Sequence, residues 1–220
     1  SKTFQKLTDE IKNYTGPDLN MSMAKLIITL PVKLFPSYVR DIYLPQKNVH
    51  RGSLIPLVKE KFRRAFYFAH NPWHQDTIDY PDSDNLSYTT LISLTNRLDE
   101  QAPLLFCPES SHLKVVPYPF DYTIKDNMMV YRNNESLFRL KINRANLKSG
   151  DLFVWHAYTF HTVKPCFSDE PAIALRFNFT PSLSNNGIND KRNIREVSRS
   201  VLSMFTETGG RSKDHKKENN

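Results

Sequence analysis

Cysteine is scarce: Cys107 and Cys166 are the only two in 220 residues, too few for a disulfide framework. A reducing, cytoplasmic setting is expected, with each thiol serving as a small buried hydrophobe. No run of about 18 apolar residues is present, so no membrane-spanning helix is expected. The longest apolar-leaning stretch, Leu26 to Phe35, is broken by Thr29, Pro31 and Lys33. It also lacks the basic lead-in and small-residue cleavage site of a signal peptide. Internal repeats are missing, and no low-complexity tract occurs outside the polar tail at 211–220. Nor is there a basic surplus spread along the chain. Of the net charge of +7, residues 191–220 carry +4 (eight Lys/Arg against four Asp/Glu), leaving +3 for the other 190 residues. A surplus confined to a C-terminal helix and tail reads as a solvated face and does not point to nucleic acid.

What is present is enough for one folded domain. Hydrophobic residues make up 39% and aromatics 12%, well above a disordered composition. Residues 1–15 place Phe4, Leu7, Ile11 and Tyr14 at helical spacing, and Gly16-Pro17 ends that helix. A second helix is expected over 53–63, behind Ser53 as N-cap. From residue 64 the pattern changes to short strands: 64–69, 87–94, 104–107, 137–142, 151–156 and 172–179. Gly150-Asp151 and Asp169-Glu170-Pro171 supply turns. Short strands without long helices between them indicate a barrel or sandwich. A last helix is expected from Asn189 to Phe205, stopped by Gly209-Gly210. The expected division is one domain over 1–206 and a disordered basic polar tail over 207–220.

Five of the seven histidines, His70, His74, His112, His156 and His161, fall inside the strand-rich part, and His50 and His215 read as surface residues. In Trp73-His74-Gln75-Asp76 an imidazole and a carboxylate stand two residues apart, so on an extended edge they face the same side. They can be neighbouring ligands of one metal. His161, after the strand Leu152–Trp155, is the best third ligand. His156 and His70 compete for the role, although Pro72 prevents a helix from aligning His70 with His74. Two histidines and one carboxylate leave three positions open on Fe(II), which suits a metal that must take a chelating co-substrate and O₂ together. A closed zinc site would need another Cys or His, and no close Cys pair exists. A keto acid's far carboxylate needs a fixed cation. Arg176, in the apolar strand Ala174–Phe179, has the planar fork that pairs two oxygens.

Trp-His-Gln-Asp, then Pro108-Glu109-Ser110-Ser111-His112, Gly150-Asp151-Leu152-Phe153-Val154-Trp155-His156, His161 and Arg176 together resemble the phytanoyl-CoA dioxygenase family over roughly residues 64–180. The resemblance implies a mainly β fold with flanking α-helices, the double-stranded β-helix (jelly-roll, cupin-like). It implies that His74, Asp76 and His161 bind Fe(II) and that Arg176 binds the C5 carboxylate of 2-oxoglutarate. The implied activity is a 2-oxoglutarate-dependent dioxygenase that hydroxylates a small molecule, consuming O₂ and releasing succinate and CO₂. Asp76 favours hydroxylation over halogenation, because halogenating relatives have a small residue there. This sequence departs from the family in several places, with Gln101-Ala102-Pro103-Leu104 standing where the family usually has Asn-Gly-Pro-Leu. Arg176 follows His161 by 15 residues, a longer spacing than usual, and Val163 stands where the family often has Ser. Fold alone does not fix activity. A non-redox metal-binding jelly-roll module, or a binding protein without oxygenase activity, is the alternative. The N-terminal helices and loops such as 79–85 and 118–135 are expected to line the substrate pocket, and Gln75, between the two ligands, is a candidate to face substrate. Arg64, Arg97 and Lys164 read as surface cations, and Trp73 and Trp155 as core.

Overall fold

The computed structural model describes residues 2–16, 19–44, 57–60, 73–76, 87–116, 120–133, 136–181 and 205. They form helices α1 (Lys2–Thr15) and α2 (Ser37–Tyr43) and ten strands. The strands are β1 (Asn20–Thr29), β2 (Tyr88–Ser93), β3 (Leu104–Cys107), β4 (Tyr122–Lys125) and β5 (Met128–Arg132), followed by β6 (Leu137–Lys141), β7 (Asn143–Ala145), β8 (Leu152–His156), β9 (Phe160–Val163) and β10 (Ala172–Thr180). A large sheet runs β1-β10-β2-β8, a small sheet runs β7-β3-β9, and a third sheet runs β4-β5-β6. Every pairing within them is antiparallel. Neighbours in the first two sheets are far apart in sequence, as in β10 against β1 and β2, which is the winding of a jelly-roll, while the third sheet joins consecutive strands.

The layers follow from strand alternation. Leu91, Trp155 and Ala174 of the large sheet meet Leu104, Ala145 and Leu147 from the small sheet's side, with Phe106, Phe153 and Val163 packed around them. The opposite face of the large sheet presents Phe177 and Phe179, which Ile11 of α1 and Leu19 cover. The third sheet closes the other side of the small one, with Met129, Tyr131 and Leu140 against Cys107 and Phe160.

The strands expected at 87–94, 104–107, 137–142, 151–156 and 172–179 are present within a residue or two. Others carry no expectation from sequence, and the described part of the loop expected at 118–135, residues 120–133, holds the β4–β5 hairpin. Lys125 pairs with Met128, so Asp126 and Asn127 form a two-residue turn at φ 50° and 58°. Positive φ at both positions is the type I′ geometry that matches strand twist, and Asp and Asn tolerate it better than most residues. β1 also goes unanticipated, because its Leu, Ile and Met residues do not alternate. Among the described residues it is an edge strand pairing only with β10. In α1, Ile11 is buried as expected, but Tyr14 is 82% exposed.

Of the helix expected at 53–63 only 57–60 is described. Leu57 and Val58 there are buried, and Val58 makes an antiparallel bridge to Phe205. The strand expected at 64–69, loop 79–85, His50, Arg64, His70 and His215 lie outside the described residues. So do the last helix, except Phe205, and the tail. Arg97 corrects the reading as a surface cation: it is 1% exposed and donates from Nη1 to the Ala102 carbonyl at 3.1 Å. Burial, its largest influence, lowers its pKa to about 10, against a smaller opposing effect of Cys166.

Candidate metal centre

Residues 73–76 lie alongside β9. His74 donates its N–H to the His161 carbonyl at 3.2 Å, and His161 returns the bond to the His74 carbonyl at 3.0 Å. That single antiparallel bridge stands where a strand edge was expected. Asp76 N–H then bonds the Ala157 carbonyl at 2.9 Å. The alternation inferred from sequence persists without a regular strand. His74 and Asp76 face inward, while Gln75 points away and is fully engaged. Its Nε2 donates to the carbonyls of Lys114 (2.6 Å) and Tyr158 (2.8 Å), and its Oε1 accepts the Val116 N–H (2.8 Å). Gln75 is therefore a buried pin between two loops, not a group facing substrate.

His74, Asp76 and His161 each offer a ligand atom, and these atoms lie within 4.8 Å of one another. The histidine rings are 4.4 Å apart between centroids, and His161 Nε2 is 3.6 Å from Asp76 Oδ1. Two metal–ligand bonds of about 2.1 Å can bridge such a gap. His161 Nδ1 lies 2.9 Å from the Thr159 carbonyl. A carbonyl only accepts, so Nδ1 carries a proton, and Nε2 is the ring nitrogen turned toward Asp76. Asp76 and His161 are 3% and 5% exposed.

The large sheet supplies the other side. Arg176 of β10 donates from Nη2 to Asp76 Oδ1 at 2.8 Å and from Nε to Asn178 Oδ1 at 3.1 Å. Thr89 of β2 and Trp155 of β8 both donate to Asp76 Oδ2, at 2.7 Å and 3.2 Å. Burial alone would raise the pKa of Asp76. The Arg176 guanidinium, then His161 and His74, then the Thr89 hydroxyl outweigh it and hold the carboxyl well below the usual carboxylate range. The site therefore presents an ionised carboxylate at neutral pH, with no proton to displace from Asp76 before a cation enters.

Two soft-to-borderline nitrogens and one hard oxygen, converging from adjacent segments, form a donor set that fits a divalent first-row metal such as Fe(II). The competing histidine is not part of it. His156 follows Trp155 on β8 and so projects to the opposite face. There it packs against the rings of Tyr88 (5.3 Å) and Tyr158 (4.8 Å), and its Nδ1 accepts the Tyr158 N–H (3.1 Å). His112 ends up in the 3-10 turn Pro108–Leu113. Thr89 was missed from sequence, and Trp155 was read only as core. Their one signal was that each lies at an inward position of a strand bordering the cluster.

A model of the phytanoyl-CoA dioxygenase family matches residues 34–174. The chain belongs to that family. The matched span of this phytanoyl-CoA dioxygenase family member contains His74, Asp76 and His161 and stops two residues short of Arg176. Among solved structures, the chain is similar to the apo form of the non-heme monooxygenase ThoJ. The identity there is 16%, the TM-score 0.49, and the match covers 79% of this chain and 51% of that one. It is also similar to the non-heme alpha-ketoglutarate-dependent epimerase SnoN from nogalamycin biosynthesis, at 18% identity and TM-score 0.49 over 82% of this chain and 58% of that one. A third is EvdO2 from Micromonospora carbonacea var. aurantiaca, complexed with 2-oxoglutarate, at 15% identity and TM-score 0.48 over 83% and 61%. The chain thus spans about half to three fifths of the length of these structures. No curated protein matches. Among the described residues no helix is long and apolar enough to cross a membrane.

Proposed function

We propose that this chain is an Fe(II)- and 2-oxoglutarate-dependent dioxygenase that hydroxylates a small-molecule substrate and releases succinate and CO₂. Its oxygenase domain would comprise residues 1–206. One observation carries the reading: two histidines and a carboxylate converge in a buried site of a phytanoyl-CoA dioxygenase family member. Ferrous iron, when bound, supplies the O₂ chemistry that protein side chains lack. His74, Asp76 and His161 would hold it on one face and leave three positions for ligands from outside. The Thr159 carbonyl keeps His161 in the tautomer whose Nε2 is available. Arg176 would take the far carboxylate of 2-oxoglutarate, with Asn178 holding its Nε and so its orientation. The indole of Trp155 and the large sheet behind it keep bulk water from the buried side of the site. Cys107 and Cys166, both free and buried, fit a reducing cytoplasmic setting.

One observation favours a second reading. Arg176 already answers the charge of Asp76, so the site is electrostatically balanced without an ion. A jelly-roll module without oxygenase activity would be stable in that state. Succinate release from 2-oxoglutarate with added Fe(II) separates the two readings. The oxygenase reading expects turnover in the wild type, and a loss of at least about 100-fold in His74→Ala and Asp76→Ala. Bound metal without succinate in the wild type, across a panel of small-molecule substrates, would favour the module.

A further inference from the structure

Asp76 has two carboxylate oxygens, and the structure treats them differently. Oδ2 accepts hydrogen bonds from Thr89 Oγ1 at 2.7 Å and from Trp155 Nε1 at 3.2 Å. Oδ1 faces Arg176 Nη2 at 2.8 Å and His161 Nε2 at 3.6 Å. Thr89 and Trp155 are cross-strand partners of β2 and β8, so one rigid antiparallel pair aims both donors. Thr89 is fully buried and Trp155 nearly so. An indole N–H only donates, and a hydroxyl facing a carboxylate donates too, so neither contact can invert. Together they give Oδ2 two hydrogen-bond donors. The Trp155 ring also packs on the imidazole of His161, with centroids 5.2 Å apart.

We infer that Thr89 and Trp155 are positioning residues that commit Asp76 to bind metal through Oδ1 alone. The inference rests on the metal-centre reading above and deepens it. A carboxylate gripping a metal with both oxygens would take a further coordination position. Of six positions only two would then remain, enough for a chelating keto acid but not for O₂ as well. Holding Oδ2 away keeps the third position open. Trp155 adds a second constraint by fixing the plane of the His161 ring.

The test uses the chain stripped of metal by chelation and titrated with Co(II), a redox-quiet probe whose visible spectrum reports coordination number. Thr89→Val keeps the shape and removes the hydroxyl, Thr89→Ser keeps the hydroxyl, and Trp155→Phe removes the indole donor together with part of the ring that packs on His161. Thr89→Val and Trp155→Phe are expected to weaken Co(II) affinity by about 10- to 100-fold and to change the visible spectrum, as a second carboxylate oxygen replaces an outside ligand. Thr89→Ser is expected to restore both. Thermal unfolding checks that each variant is folded, and if Thr89→Val is not, Trp155→Phe decides. Folded variants with wild-type affinity and spectrum would overturn this inference while leaving the metal centre standing. A wild type that binds no Co(II) would remove the metal centre, and this inference with it.

Discussion

A buried carboxylate must be compensated, and Asp76 is compensated several times over. Its oxygens receive Arg176, Thr89 and Trp155, and two imidazoles stand beside it. Arg176→Gln separates the roles. Loss of the guanidinium should raise the KM for 2-oxoglutarate by about 100-fold, since a charge-assisted pair to a carboxylate is lost. Co(II) affinity should hold or tighten, because a cation next to the ligand oxygen is gone. Steady-state kinetics and calorimetry check the two halves separately. At this scale the convergence of His74, Asp76, His161 and Arg176 was legible in the sequence because imidazoles, a carboxylate and an arginine in apolar surroundings are chemically conspicuous. Thr89 was not, since a threonine in a strand is ordinary until a partner 13 residues away is known to face it. Arg97 was misread because nothing local tells a buried arginine from an exposed one.

The turn Pro108–Leu113 acts through an unobtrusive serine. Ser110, fully buried, donates to the Cys107 carbonyl at 2.6 Å and accepts the Phe160 N–H at 2.6 Å. It thus ties the end of β3 to the residue just before His161 on β9. Ser110→Ala leaves the Phe160 N–H without that acceptor and should cost about 1–3 kcal/mol in urea unfolding. Co(II) affinity should fall with it, as β9 loosens. The sequence marked the Pro-Glu-Ser-Ser-His piece, yet could not say which member mattered, because the partner lies 50 residues downstream. Strands that alternate or carry branched residues between turn signals were readable. The hairpin at Asp126-Asn127 was overlooked because its turn lacks glycine, though both residues accept positive φ.

Across the whole molecule, the jelly-roll class followed from many short strands without long intervening helices. The order β1-β10-β2-β8 did not, since it depends on pairings between chain ends that local patterns do not encode. Alkaline behaviour belongs to this scale too. Burial, with a smaller contribution from Glu109, pushes the Cys107 thiol from its ordinary 9.0 up to about 12. A folded pKa above the unfolded one means the contribution to stability is complete below about pH 9 and is lost as pH climbs toward 12. Unfolding free energies from urea titrations should therefore be insensitive to this group up to pH 9, then decline by no more than about 1.4 kcal/mol per pH unit. Cys107→Ala should flatten that decline, and an unchanged slope would show that another group controls it. The His74–His161 bridge has a consequence of its own. The two residues are bolted together through their peptide groups, so exchanging either side chain leaves the mounting intact. The pair is a chassis for engineering: a thiolate or second carboxylate substituted at either position would retune the preferred ion without re-laying the strands that carry it.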